Sequence, residues 1–145
     1  MNNTLIKSTH NELYDWYIID AANKKLGRLS SEISKVLIGK NNPNFHPSQK
    51  IKQAVIVVNA EKVQVTGKKR QDKFYKRYSG YQGGMTIETF DELQKRIPNR
   101  IIEKSVKGML PKGPLGRNLF TKLKVYAGET HPHSAQKPKI INFSN

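Results

Sequence analysis

Two short runs, Trp16–Ala21 (WYIIDA) and Ala54–Asn59 (AVIVVN), are apolar on both sides of the alternation that a strand imposes. A half-exposed strand alternates apolar with polar side chains. A run that is apolar throughout suits a central strand covered on both faces, the usual condition of a parallel sheet. Between the runs, after a turn at Asn23–Gly27, apolar residues fall from Leu26 at Leu29, Ile33, Val36 and Leu37, with Lys and Glu elsewhere. Spacings of three and four predict an amphipathic helix. Gly39, with Asn41, Asn42 and Pro43 beyond it, predicts where it stops. Asn44–Gln53, containing Phe45, His46 and Pro47, reads as a loop. Strand, helix, strand within about 45 residues is a crossover unit, and its strands run parallel. That restricts the chain to the α/β class.

Weaker signals follow. Val63–Thr66 reads as a short strand leading into a basic arm. Thr86–Ile97 carries Ile87, Phe90, Leu93 and Ile97 at helical spacing, closed by Pro98. Asn99 is placed to cap a next helix with the apolar face Ile102, Val106, Met109 and Leu110. Pro111, Gly113 and Pro114 end that helix. Leu115–Leu123 predicts a short helix, and Lys124–Ala127 a last strand before Gly128. From Glu129 onward, proline, charge and polar side chains predict a tail lying over a surface. With 145 residues and no linker or repeat, the chain reads as one domain over 1–145, long enough for one hydrophobic core. Its appendages are an N-terminal tail (1–14), the basic arm (66–84) and a C-terminal tail (129–145).

Charge points to a polyanionic partner. The net charge is +15 and the pI about 10.1. Within Lys62–Tyr78, Lys62, Lys68, Lys69, Arg70, Lys73, Lys76 and Arg77 give seven cations against one anion, Asp72. Phe74, Tyr75, Tyr78 and Tyr81 are threaded among them, and Gly80, Gly83 and Gly84 follow. A charge run alone is more often a solvated face. Interleaved aromatics shift that balance, because cations release counterions from phosphates, aromatic faces stack on unpaired bases, and glycines permit close backbone approach. Tyr75, Tyr78 and Tyr81 fall outside any periodic element and read as RNA-contact candidates, whereas Trp16 and Tyr17 read as core. A second block, Lys104, Lys107, Lys112, Arg117, Lys122 and Lys124, holds six cations with no anion between them. Its VKGMLPKGPLGR segment, Val106–Arg117, points Lys112 and Arg117 outward near a helix start, where an anion is favoured.

Other classes find little support. No apolar run approaches the roughly 18–20 residues of a membrane-spanning helix. MNNTLIKSTHNELYDW shows neither a secretory nor an import pattern and reads as a tail. With no cysteine, disulfides, thiol catalysis and thiolate metal sites are absent. Asp20, Glu61, Asp91 and Glu92 have no acid/base spacing, and Glu88, Asp91 and Glu92 read as the polar face and N-terminal charges of a helix. Gly67-Lys68-Lys69 lacks the first glycine and the following Ser/Thr of a phosphate loop. His131-Pro132-His133, with His46 as a third candidate, is the one metal-like feature. Histidines on a basic tail meet phosphates or bases just as readily.

Asp15–Ala21 (DWYIIDA), Leu26-Gly27-Arg28-Leu29, Val57–Ala60 (VVNA), Val65-Thr66-Gly67, Tyr78–Gly84 (YSGYQGG), Val106–Arg117, Lys122–Gly128 (KLKVYAG) and His131–Gln136 (HPHSAQ) occur in an order that resembles the bacterial and plastid type of large-subunit ribosomal protein L13. The resemblance runs from Asp15 to Phe143. It implies a three-layer α/β/α fold around a four-stranded, mainly parallel sheet. It also implies a non-catalytic constituent of the large ribosomal subunit that binds ribosomal RNA early in assembly and sits among other ribosomal proteins. Neither a cofactor, a metal, a small-molecule substrate nor a membrane belongs to that picture. RNA contacts carry over to Lys68, Lys69, Arg70, Lys73, Lys76, Arg77, Tyr78, Tyr81, Gly83 and Gly84 of the arm. They carry over also to Lys107, Lys112, Arg117, Lys122 and Lys124, and to His131 and His133 of the tail. Two stretches depart from the family pattern. Ser48–Gln53 (SQKIKQ) lacks a Gly-Asp pair, and KFYKRYSG replaces a paired aromatic followed by His. A bias to Asn, Ile and Lys fits an A+T-rich genome and favours an algal plastid over a bacterium. The rivals are a free-standing RNA-binding regulator and a nucleotide- or metal-dependent enzyme.

Overall fold

The computed structural model describes residues 14–43, 45–47 and 52–143. The expectations for residues 1–13 and for most of the SQKIKQ loop lie outside them. Strand β1 (Asp15–Asp20) leads through a turn into helix α1 (Leu26–Ile38), which returns to β2 (Gln53–Val58). β1 and β2 pair in parallel from Asp15 opposite Gln53 to Asp20 opposite Val58. Every residue of β2 is buried, as its apolar run predicted. Helix α1 buries Leu29, Ile33, Val36 and Leu37. It ends where Gly39 adopts a φ of 79°, a left-handed conformation that costs glycine no Cβ clash. Its buried Ser30 and Ser34 hydroxyls donate to the carbonyls four residues back, so neither is left unpaired.

Beyond β2 a 3₁₀ turn occupies Ala60–Lys62. The strand expected at Val63–Thr66 reduces to a single parallel bridge, Gln64 with Lys25. The basic arm carries its own structure: a one-turn helix α2 (Lys69–Asp72), then β3 (Phe74–Tyr78) and β4 (Met85–Thr89) in an antiparallel hairpin. The helix expected over Thr86–Ile97 is therefore a strand followed by a shorter helix, α3 (Phe90–Arg96). The boundary is a capping box. The Thr89 hydroxyl accepts the Glu92 N–H at 3.3 Å, and Glu92 Oε2 accepts the Thr89 N–H at 2.8 Å. These bonds hold the Glu92 carboxyl below its ordinary pKa.

Helix α4 (Asn99–Met109) buries Ile101, Ile102 and Val106, while Met109 is exposed. Pro98, not Asn99, occupies the cap position; Asn99 is the first helical residue, and its side-chain oxygen is buried without a partner. Helix α5 (Pro114–Thr121) and strand β5 (Leu123–Val125) follow, and the tail contributes β6 (Lys139–Ile140). The sheet order is β5-β2-β1-β6, all parallel. The C-terminal segment is thus partly an edge strand.

Ile19, Val55 and Val57 belong to the main core with α1 and α4, which pack against each other. Trp16, in register with Ala54, points to the opposite face of the sheet. It is half-buried rather than core, and the returning chain covers it: the His133 ring stacks on the indole at 5.4 Å between centroids. Helices, sheet and this thin return layer make a three-layer α/β arrangement.

Candidate nucleic-acid interface

The arm departs from the body at Gly67, whose φ of 63° suits glycine, and α2 displays Lys69 and Arg70 exposed beside Lys68. Lys69 donates to the Thr66 hydroxyl at 3.3 Å, and Arg70 lies 4.0 Å from Asp91 on α3. Both contacts are exposed, and pairs of this kind stabilise by less than about 1 kcal/mol. These cations thus remain available to another anion. The hairpin has two unlike faces. Tyr75, Arg77, Thr86 and Glu88 share one; Phe74, Lys76, Tyr78, Met85 and Ile87 share the other.

Tyr75 anchors the hairpin to the body. It is 8% exposed and packs against the fully buried Phe90 at 6.5 Å between ring centroids. Burial pushes its phenol pKa up. Glu88, on the same face, takes the Arg96 guanidinium 2.7 Å from both carboxylate oxygens and so ties β4 to α3. Tyr78 and Tyr81 are 63% and 80% exposed. Tyr81 sits at the hairpin tip, in a turn closed by the Ser79 N–H donating to the Gly84 carbonyl and the Gly84 N–H to the Tyr81 carbonyl. Gly83 has a φ of 73°, and a Cβ on Gly84 would collide with the Ser79 hydroxyl. Both glycines therefore shape the turn.

The second block joins the first through the same ring. Lys73 of the arm and Lys104 of α4 both place their ammonium groups over Tyr75, at 5.8 and 5.1 Å from its centroid. Lys107 lies over Phe120 at 5.8 Å with its charge exposed, and Lys112 and Arg117 are exposed around the α4–α5 turn. Gly113 (φ 110°) and Pro114 set that turn, and the Gly113 carbonyl accepts the Arg117 N–H. The two basic blocks thus meet at Tyr75, where Lys73 and Lys104 share one ring.

Other expected positions lie apart. Lys122 is half-buried, with its ammonium 5.1 Å from the Tyr14 ring, and burial pushes its pKa down. Lys124 lies between Leu123 and Val125, which face the main core, so it projects from the other side of the sheet. His131 and His133 are half-buried and engaged: His133 Nε2 is 2.7 Å from the Tyr126 hydroxyl, and the His133 N–H donates to His131 Nδ1 at 3.2 Å. They lock the return segment onto Trp16. Among the described residues no three His, Asp or Glu side chains form a metal-binding group. No helix there is long and apolar enough to cross a membrane. Lys104 opens the second basic block but is not among the positions to which the resemblance carries RNA contacts. Its place above Tyr75 depends on α4 packing beside the hairpin.

This surface combines exposed guanidinium and ammonium groups with exposed tyrosines on a rigid support, a geometry suited to phosphate neutralisation and base stacking. Residues 14–132 match the family model for ribosomal protein L13. The chain belongs to the ribosomal protein L13 family. It is 57% identical to the large ribosomal subunit protein uL13c of Guillardia theta over 97% of this chain and 99% of that protein. It is 62% identical to uL13 of the cyanobacterium Trichormus variabilis, over 90% of this chain and 86% of that protein. To uL13 of Microcystis aeruginosa it is 59% identical, over 97% and 93% respectively. The family is one of structural proteins, not enzymes. Its matched span includes the arm, both basic blocks and the first of the tail histidines.

Proposed function

We propose that the chain is a structural constituent of the large ribosomal subunit that binds ribosomal RNA and supports early subunit assembly, without catalysis. The observation that carries this reading is the meeting of both basic blocks around Tyr75 in a member of the L13 family. Lys68, Lys69, Arg70, Lys73 and Arg77, then Lys107, Lys112 and Arg117, neutralise phosphates; Tyr81 at the tip stacks on an unpaired base. Gly83 and Gly84 act by shaping that tip. Lys124, with the exposed edge of His131, serves a separate contact on the opposite side of the sheet. Counterion release supplies affinity, and the fixed spacing of the blocks supplies register.

Similarity to a plastid protein and to cyanobacterial ones alike supports a bacterial-type ribosome. The Asn-, Ile- and Lys-rich composition favours the plastid. The test is sedimentation of a native lysate at low and high magnesium, with detection of this chain. It is expected to travel with the large subunit and stay there when the subunits separate. A chain that stays at the top of the gradient overturns the reading. Recovery from ribosomes of purified plastids checks the compartment.

A further inference from the structure

Phe74, Tyr78, Met85 and Ile87 lie on one face of the β3–β4 hairpin and are 57%, 63%, 55% and 52% exposed. The register sets Tyr78 opposite Met85 and Lys76 opposite Ile87, so the four side chains adjoin. Half-exposed side chains of this size present on the order of 400 Å² of apolar surface, as much as the largest patch on an ordinary monomer. Lys76 is its one charge. The one carboxylate on the two strands, Glu88, sits on the other face and is held by Arg96. The two strands have no third strand beside them among the described residues.

We propose that this face docks an apolar segment of a second protein held on the same RNA, with a carboxylate or carbonyl of that segment meeting Lys76. The inference rests on the ribosomal reading above and deepens it. RNA is the poorer occupant: Phe74 and Tyr78 offer rings and Lys76 one cation, but Met85 and Ile87 offer neither, and a single cation neutralises little of a phosphate backbone. Lys76 apart, the cations that suit RNA lie on α2, on α4 and on the hairpin's other face. A second copy of this chain is also a poor occupant. Each copy carries +15, the face offers no anion to answer Lys76, and its area is about half of the roughly 800 Å² per partner in a stable free interface. A patch of half size suffices when a shared RNA already holds both proteins together, since tethering raises the effective concentration to the millimolar range.

The test incorporates the full chain, with a photo-crosslinking phenylalanine at position 87 or at position 77, into large subunits purified at high salt. Position 87 is expected to crosslink to another protein of the particle, and position 77 on the opposite face to RNA. Crosslinks from 87 to RNA, to its own chain or to a second copy overturn the docking proposal alone. Failure of the chain to enter large subunits overturns the ribosomal reading with it. Met85→Ser with Ile87→Ser leaves charge unchanged and alters only exposed positions. The pair is expected to lower the crosslinked neighbour's occupancy at least about threefold and to leave affinity for naked RNA within twofold. Unchanged occupancy overturns the proposal.

Discussion

Asp20 ends β1 and accepts two hydrogen bonds on Oδ1, from the Ala22 N–H at 2.9 Å and the Asn59 side-chain amide at 2.8 Å. Burial on its own raises the carboxyl pKa. Those two donors, with Lys24 and Lys62 nearby, outweigh burial and hold the pKa below its ordinary value. The unfolded chain therefore takes up this proton first as pH falls. The stabilisation is complete above the unfolded value of about 4 and disappears as pH drops through the folded value. Glu92, depressed by its capping bonds, acts in the same direction. Urea unfolding between pH 6 and pH 2.5 is expected to show falling midpoints below about pH 4, with a shallower fall in Asp20→Asn. Two glycines give opposite expectations. A Cβ on Gly116 would overlap the Pro111 carbonyl, whereas nothing lies within 4 Å of one on Gly27 in α1. Gly116→Ala is expected to cost about 1–3 kcal/mol, and Gly27→Ala to stabilise by about 0.4–1 kcal/mol, measured by chemical denaturation.

Among elements, the hairpin pairs a buried anchor, Tyr75, with an exposed tip, Tyr81. Tyr75→Ala removes the ring that seats it on Phe90, at a cost of about 3 kcal/mol by analogy with other buried aromatics. Amide exchange across residues 74–89 is expected to accelerate, and RNA affinity to fall although Tyr75 itself is buried. Tyr75→Phe keeps the ring and should retain both properties. Lys68→Ala, Lys69→Ala and Arg70→Ala together are expected to cut RNA affinity at least about tenfold with an unchanged circular dichroism spectrum, since all three are exposed. Loss of the spectrum would make them structural. The hairpin was hidden in the sequence for a physical reason. FYKRY mixes aromatics and cations without alternation, MTIET alternates only over four residues and with its apolar side chains exposed, and Ile87 falls by chance three residues before Phe90. Thr89 and Glu92 carry a capping-box pattern, the one local sign that a helix starts at Phe90. β6 was equally illegible, because its two exposed residues belong to the sheet only by pairing with Tyr17 and Ile18.

For the whole molecule, a net charge of +15 on one face-divided domain makes binding an electrolyte effect. Affinity for the ribosomal RNA site is expected to fall roughly a thousandfold between 50 and 200 mM salt; a nearly flat dependence would exclude phosphate contacts as its source. WYIIDA, AVIVVN and the Leu26–Leu37 stripe determined the class and the parallel pairing by themselves, because burial on both faces demands continuous apolarity. The cations and their polyanionic preference were equally plain, since exposed charge needs no fold to declare itself. Which cations act together was decided only by tertiary packing. It lays Lys73 and Lys104 over one tyrosine, turns Lys124 to the far side of the sheet, and spends His133 on Trp16. Residues distant along the chain converge through the core between them, and side-chain direction on a strand is fixed by a register that sequence spacing alone does not supply.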